Sequence, residues 1–141
     1  MNILIDTSIW SLAFRKKTLT PEEVKNVSEL KELIYEKRVM MIGPIRQELL
    51  SGIKDSNIFE TLKNKMMAFE DEVIKTQDYE KAAEIHNLCR SNGIQGSHID
   101  FLITAFVINR NIAIFTTDKD FQNYASVVKV KLHQIRDEIK E

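Results

Sequence analysis

Short runs of apolar residues alternate with longer amphipathic segments along this chain. Ile3-Leu4-Ile5, Val39-Met40-Met41-Ile42 and Ile112-Ala113-Ile114-Phe115 are apolar at every position. A strand with one wet face alternates apolar and polar residues, whereas a strand covered on both faces does not. These runs call for cover on both sides, and the intervening segments have the helical period needed to supply it. The pattern predicts an α/β fold with a mostly parallel central sheet.

Local signals mark where the helices begin and end. Thr20-Pro21-Glu22-Glu23 combines a capping Thr, a first-turn Pro and a Glu placed to close a capping box. Val24, Val27, Leu30, Leu33 and Ile34 then recur at helical spacing. Gly43-Pro44 ends the second apolar run and opens a helix that stops near Ser51-Gly52, and Asp55 caps the next helix, which runs to about Phe69. A helix over 79–91 stops at Asn92-Gly93. Ser97 caps another, whose residues 101–108 are apolar almost all round, the mark of a buried helix. Further helices are expected over 7–15 and from Asp118. Two more strands are expected, at Val73-Ile74 and at 127–130, and 131–141 reads as a charged tail.

The 141 residues suit one domain spanning 1–141, with few Gly or Pro to spare for linkers. Hydrophobic content of 43% and charged content of 29% are those of a soluble globular protein. Cys89 is the single cysteine, so no intrachain disulfide can form, and a reducing cytoplasm is the natural setting. The apolar start meets Asp6 too early for a signal peptide or membrane span, so no membrane partner is expected.

Acidic residues fall where ligands bind in such sheets, beyond the carboxyl ends of the strands. Asp6 follows the first strand directly, and Asp118 and Asp120 follow the strand at 112–115. Glu48 lies about one turn into the helix after the second strand, and Asp100 in the first turn of the buried helix. Clustered carboxylates repel, so they either take up protons or bind a cation. Oxygen ligands without Cys or His favour Mg²⁺ or Mn²⁺. Such ions also take phosphate oxygens and activate water, so the set suggests phosphodiester hydrolysis. Each acid alone also has an ordinary reading: Asp6 and Asp118 as helix caps, Asp100 as the acid of a Ser-x-x-Asp near-capping box, Glu48 as a solvated helix face.

Four stretches taken together resemble the signature blocks of PIN-domain nucleases, in the right order and spanning nearly the whole chain. They are Ile3-Leu4-Ile5-Asp6-Thr7-Ser8, Ile42-Gly43-Pro44-Ile45-Arg46-Gln47-Glu48-Leu49-Leu50-Ser51-Gly52, Asp100-Phe101-Leu102-Ile103-Thr104-Ala105 and Thr116-Thr117-Asp118-Lys119-Asp120-Phe121. The short format is similar to the VapC-type toxins of toxin–antitoxin pairs. The resemblance implies a three-layer α/β/α sandwich and a Mg²⁺-dependent, site-specific endoribonuclease that inhibits translation. It implies Asp6, Glu48, Asp100 and Asp118 as catalytic metal ligands, with Asp120 as a less essential fifth. Thr7, Ser8 and Thr116 would be hydroxyls that orient these carboxylates. It implies no protein nucleophile, an RNA substrate, a cognate antitoxin and a homodimer. Residues 54–95 carry none of these blocks.

The net charge of −1 gives no global sign of a nucleic-acid partner. With the five candidate acids set aside, the rest of the chain carries about +4, which suits a phosphate backbone. Arg15, Lys16, Lys17, Arg46 and Lys119 are candidate backbone contacts, though solvated surface charge is the ordinary use of such residues. No aromatic stripe for base stacking is visible. His98, two residues before Asp100, is a weaker candidate ligand, and His86 and His133 are weaker still. Trp10 and Phe14, at i and i+4, suit either the core or an interface.

Other classes fit less well. A signalling receiver wants paired acids after the first strand, and a haloacid dehalogenase-like phosphatase wants Asp-x-Asp there, whereas this chain has Asp6-Thr7-Ser8. A non-catalytic PIN-like scaffold would have lost carboxylates that are present here. A housekeeping RNA-processing PIN nuclease remains the alternative within the same chemistry.

Overall fold

The computed structural model describes residues 1–136. The chain runs β1 (Ile3–Ile5), α1 (Thr7–Phe14), α2 (Pro21–Tyr35), β2 (Val39–Met40), α3 (Gly43–Leu50), α4 (Ser56–Met66), α5 (Thr76–Ser91), α6 (His98–Arg110), β3 (Ala113–Phe115), α7 (Asp120–Ala125) and β4 (Lys131–Leu132). The strands form one parallel sheet in the order β2-β1-β3-β4, with the helices packed about it as an α/β/α sandwich. From β1 the chain first moves outward to β2, then returns to place β3 on the other side of β1. The crevice beyond the ends of β1 and β3 is therefore a topological switch point, where α/β sheets bind ligands.

Strand pairing sets the register of that crevice. Ile5 lies opposite Phe115, and the Asp6 N–H continues the ladder to the Phe115 carbonyl at 2.9 Å. Asp6 and Thr116 are thereby the first residues past the paired strands. Leu4, Ile5, Ile114 and Phe115 are buried, as runs covered on both faces require. The helix starts work as their sequences suggest. Thr20 and Glu23 make a reciprocal capping box, and Asp55 accepts from the N–H groups of Asn57 and Ile58. Phe101, Ile103, Ala105, Phe106 and Val107 bury α6 nearly all round, and α5 packs along it. Asn111 ends α6 in the left-handed region at φ 54°, a conformation Asn tolerates better than most residues.

Two strand expectations require correction. Residues 127–130 form a turn, not a strand: the N–H groups of Val127 and Val128 both return to the Tyr124 carbonyl, closing α7. The last strand lies at Lys131–Leu132, inside the segment expected to be a tail. That segment is held further on as well. Glu29, 5% exposed on α2, accepts from His133 at 2.7 Å and from the Arg136 guanidinium. The remainder of the expected tail, 137–141, lies outside the described residues. Val73-Ile74 also makes no strand; an isolated bridge pairs Met41 with Asp71 just before it, and Val73 is exposed.

Trp10 belongs to the core and not to an interface. It is fully buried, packs on Phe14 and Phe69, and donates its indole N–H to the Ile5 carbonyl at 3.1 Å. Cys89 is likewise a buried, small apolar residue whose thiol pKa is raised by burial.

Candidate active site

Asp6 precedes α1, yet its carboxylate makes no capping bond to that helix. It instead accepts from the Ser8 hydroxyl at 2.8 Å and the Thr116 hydroxyl at 2.7 Å. The acid is 6% exposed, so these two hydroxyls replace water that burial has removed. Thr116 reaches it because β1 and β3 are paired in register, and Ser8 and Thr116 lie 3.2 Å apart. The same hydroxyls order the next loop: Ser8 accepts from the Thr117 N–H at 3.1 Å and Thr116 from the Asp118 N–H at 3.0 Å. Asp118 in turn accepts from the Asp120 N–H at 2.9 Å, which fixes the turn into α7.

Asp100 enters from α6. Its N–H bonds to the capping Ser97 hydroxyl at 3.0 Å, while its carboxylate accepts from the Tyr124 hydroxyl at 2.8 Å. Asp100, Asp118 and Asp120 each present an oxygen, and the three lie within 4.8 Å of one another. Burial raises the Asp100 pKa, and the Asp118 and Asp6 carboxylates raise it further, against relief from the Tyr124 and Ser97 hydroxyls. Thr116 joins Asp6 to this cluster, since its hydroxyl donates to the Asp6 carboxylate and accepts from the Asp118 N–H. Glu48 is not one of those three; exposed on α3, it is tethered at 2.6 Å by the hydroxyl of Thr7, the residue after Asp6.

The donor set fits a small hard cation. It is made of carboxylate oxygens without sulfur or imidazole, and its spread is close to the ~4 Å that separates opposed oxygens on Mg²⁺. Burial and the neighbouring carboxylates both work against the Asp100 charge, and a bound cation would favour it.

Among the basic candidates, Lys119 lies between Asp118 and Asp120, is exposed, and has no ion pair among the described residues. Lys16 is paired with Glu23 at 2.6 Å, and Arg15 reaches the Leu49 carbonyl at 3.4 Å. The Arg46 guanidinium is engaged with Asp71 at 2.9 Å and with the Met66 and Phe69 carbonyls, so it ties α3 to the end of α4.

Tyr124 and Gly96 are site residues that sequence reasoning missed. Tyr124 is fully buried, and burial together with the Asp100 carboxylate holds its phenol pKa well above the ordinary range, so it remains a donor. Its ring closely approaches Gly96, where a Cβ would sit 2.5 Å from the hydroxyl oxygen. The available signal was a tyrosine one turn past Asp120.

Residues 3–127 match the PIN domain family. The chain is 32% identical over 138 residues to Ribonuclease VapC11 of Mycobacterium tuberculosis, covering 95% of this chain and 99% of that one. In fold it is similar to FitAcB from Neisseria gonorrhoeae (TM-score 0.75, 18% identity, 94% of this chain and 96% of that chain). It is also similar to VapBC2 from Rickettsia felis (TM-score 0.73, 16% identity, 94% and 98%). With identity to a VapC ribonuclease along nearly its full length and acids gathered at the switch point of its sheet, the chain belongs to the PIN-domain family of VapC ribonucleases.

Proposed function

We propose that the chain is a Mg²⁺-dependent, site-specific endoribonuclease, the toxin of a toxin–antitoxin pair, and that it inhibits translation by cutting RNA in the cytoplasm. The observation that carries this reading is the convergence of Asp100, Asp118 and Asp120 at the strand switch point, with Asp6 alongside. Asp6, Glu48, Asp100 and Asp118, with Asp120, would hold Mg²⁺, and Mn²⁺ would substitute. When bound, such an ion supplies charge neutralisation at the phosphate and a lowered pKa for the attacking water.

The chain's own contribution is positioning. The hydroxyls of Ser8 and Thr116 hold Asp6, that of Tyr124 holds Asp100, and that of Thr7 holds Glu48. In keeping with the family resemblance, no side chain would serve as nucleophile, and the attack would fall to water. Lys119 is the residue best disposed to meet a phosphate of the strand, with Arg15 as a further contact. A cognate antitoxin would bind the acidic crevice through a basic side chain of its C-terminal segment, and the toxin would act as a homodimer. If a bound partner left metal-dependent cleavage unchanged, that mode of inhibition would be excluded.

Cleavage of total cellular RNA by the purified protein tests the main reading, with Mg²⁺, with EDTA and with Asp100→Asn. Discrete fragments that vanish with EDTA and with the variant are expected. Intact RNA after incubation with folded, partner-free protein and Mg²⁺ would overturn it.

A further inference from the structure

A cavity of about 360 Å³ opens beside Gly96. It lies between the C-terminal part of α5, with His86 and Arg90, the turn at 93–96, and Phe101 of α6. Its volume is within the ~300–1,000 Å³ usual for small-ligand sites. Three features of its walls point to one ligand. Arg90 is exposed and, among the described residues, its guanidinium has neither an ion pair nor a hydrogen bond, whereas those of Arg38, Arg46, Arg110 and Arg136 each hold a carboxylate. A cation near a helix C-terminus is favourable in itself, but that does not account for the aromatic surface beside it. The rings of His86 and His98 stack at 5.4 Å and 24°, with Phe101 edge-on to His86 at 5.3 Å and 76°. Finally, Gly96 and Phe101 line the cavity on one side and meet Tyr124 on the other, and Tyr124 donates to Asp100. The cavity and the acids are thus separated by one buried side chain.

We propose that this cavity binds a single nucleotide of the RNA strand, next to the bond that is cut, with Arg90 on its phosphate and the His86 ring, which His98 backs, against its base. Single-stranded RNA is read by splayed bases stacked on aromatic and His rings and by guanidinium contacts to phosphate. The exposed Gln95 amide and the backbone of 93–96 supply polar groups for the edge of that base, so the cavity selects sequence as well as adding affinity. The histidines lie 12 residues apart in the chain, and the stacking surface exists only where α5 and α6 come together.

The proposal rests on the ribonuclease reading, and its test separates the two. Steady-state cleavage of a single-stranded RNA and mapping of fragment ends are compared for the wild-type protein, Arg90→Ala and His86→Ala. Binding of the same RNA is titrated against salt in an Asp100→Asn background. Arg90 is exposed and unpaired, so its replacement spares the fold, which circular dichroism verifies. Arg90→Ala should raise KM about ten-fold and reduce the salt slope of binding by about 0.7, the value for one single-strand phosphate contact. His86→Ala should relax base preference at one position beside the cut. If the wild-type protein cuts RNA while both variants keep its KM, salt slope and fragment ends, the cavity is not a nucleotide site and the ribonuclease reading stands. If the wild-type protein neither cuts nor binds RNA, the ribonuclease reading falls and the nucleotide site with it.

Discussion

Asp6 and Asp55 are both acids that precede a helix, and the difference between them is where the functional information lies. Asp55 accepts two backbone N–H groups and is spent as a cap. Asp6 makes no such bond and is held by two hydroxyls from separate parts of the chain. Sequence patterns name both as possible caps; only the motif around Asp6, with Ser8 nearby and Thr116 more than a hundred residues away, distinguishes them. Groups that orient metal ligands typically cost about 10–100-fold in metal affinity or activity when removed. Thr116→Val should therefore weaken Mn²⁺ or Mg²⁺ binding by about that factor in a calorimetric titration, with little change in the circular dichroism spectrum. Unchanged affinity would mean that the hydroxyl does not orient the acid. Gly96 carries a second prediction at this scale. A Cβ there would lie 2.5 Å from the Tyr124 oxygen and 2.7 Å from the Phe101 ring, both in a packed interior. Gly96→Ala should cost about 1–3 kcal/mol in urea unfolding through overpacking, and should lower cleavage by loosening Tyr124 from Asp100.

At the scale of elements, legibility followed how much of an element is decided locally. The all-apolar runs of β1 and β3, the Thr20 capping box and the all-round apolar α6 were readable because their own residues dictate them. Val127 to Val130 misled because their apolar side chains do pack on the core, but the Val127 and Val128 donors are used to close α7, and the ladder moves on to Lys131–Leu132. The positions of Asp6 and Asp118 just past the strands, and of Asp100 at the start of α6, were legible in the sequence; the Tyr124–Gly96 contact was not, since it depends on α6 and α7 meeting. Joining α5 to α6 is a feature no motif announced. Asp78, 1% exposed, takes both terminal nitrogens of Arg110 at 2.8 and 2.9 Å, and its pKa is lowered to about 2. The ordinary aspartate value is 3.8, so the folded protein binds its proton less readily than the unfolded chain does. Its stabilising effect is therefore present above about pH 4 and lost as pH falls toward 2, and the shift corresponds to about 2 kcal/mol. Asp78→Asn should be less stable than wild type by about that amount at pH 7, with the gap closing as pH approaches 2. A gap that does not depend on pH would show that the carboxylate's charge is not what joins the two helices.

For the whole molecule, the acids at the switch point set a conflict between folding and function. β1, α6 and the β3–α7 turn each deliver negative charge to one crevice, and folding must hold those charges together. The raised pKa of Asp100, caused first by burial and then by Asp118 and Asp6, is the sign of that cost. A cation that binds only the folded chain must offset it, because the unfolded chain has no such cluster. By linkage, ligand at a hundred times its dissociation constant adds about 2.7 kcal/mol, which in a chain of this size raises the melting temperature by about 10 °C. Thermal unfolding of the metal-free protein should therefore show a midpoint that climbs with added Mg²⁺ or Mn²⁺ and returns with EDTA. Asp100→Asn removes one of the repelling charges and one ligand together. The variant should melt higher than wild type without metal and respond far less to its addition, so the two curves should cross as metal is titrated. A wild-type midpoint unmoved by either ion would mean that the fold carries these carboxylates for some purpose other than holding a metal.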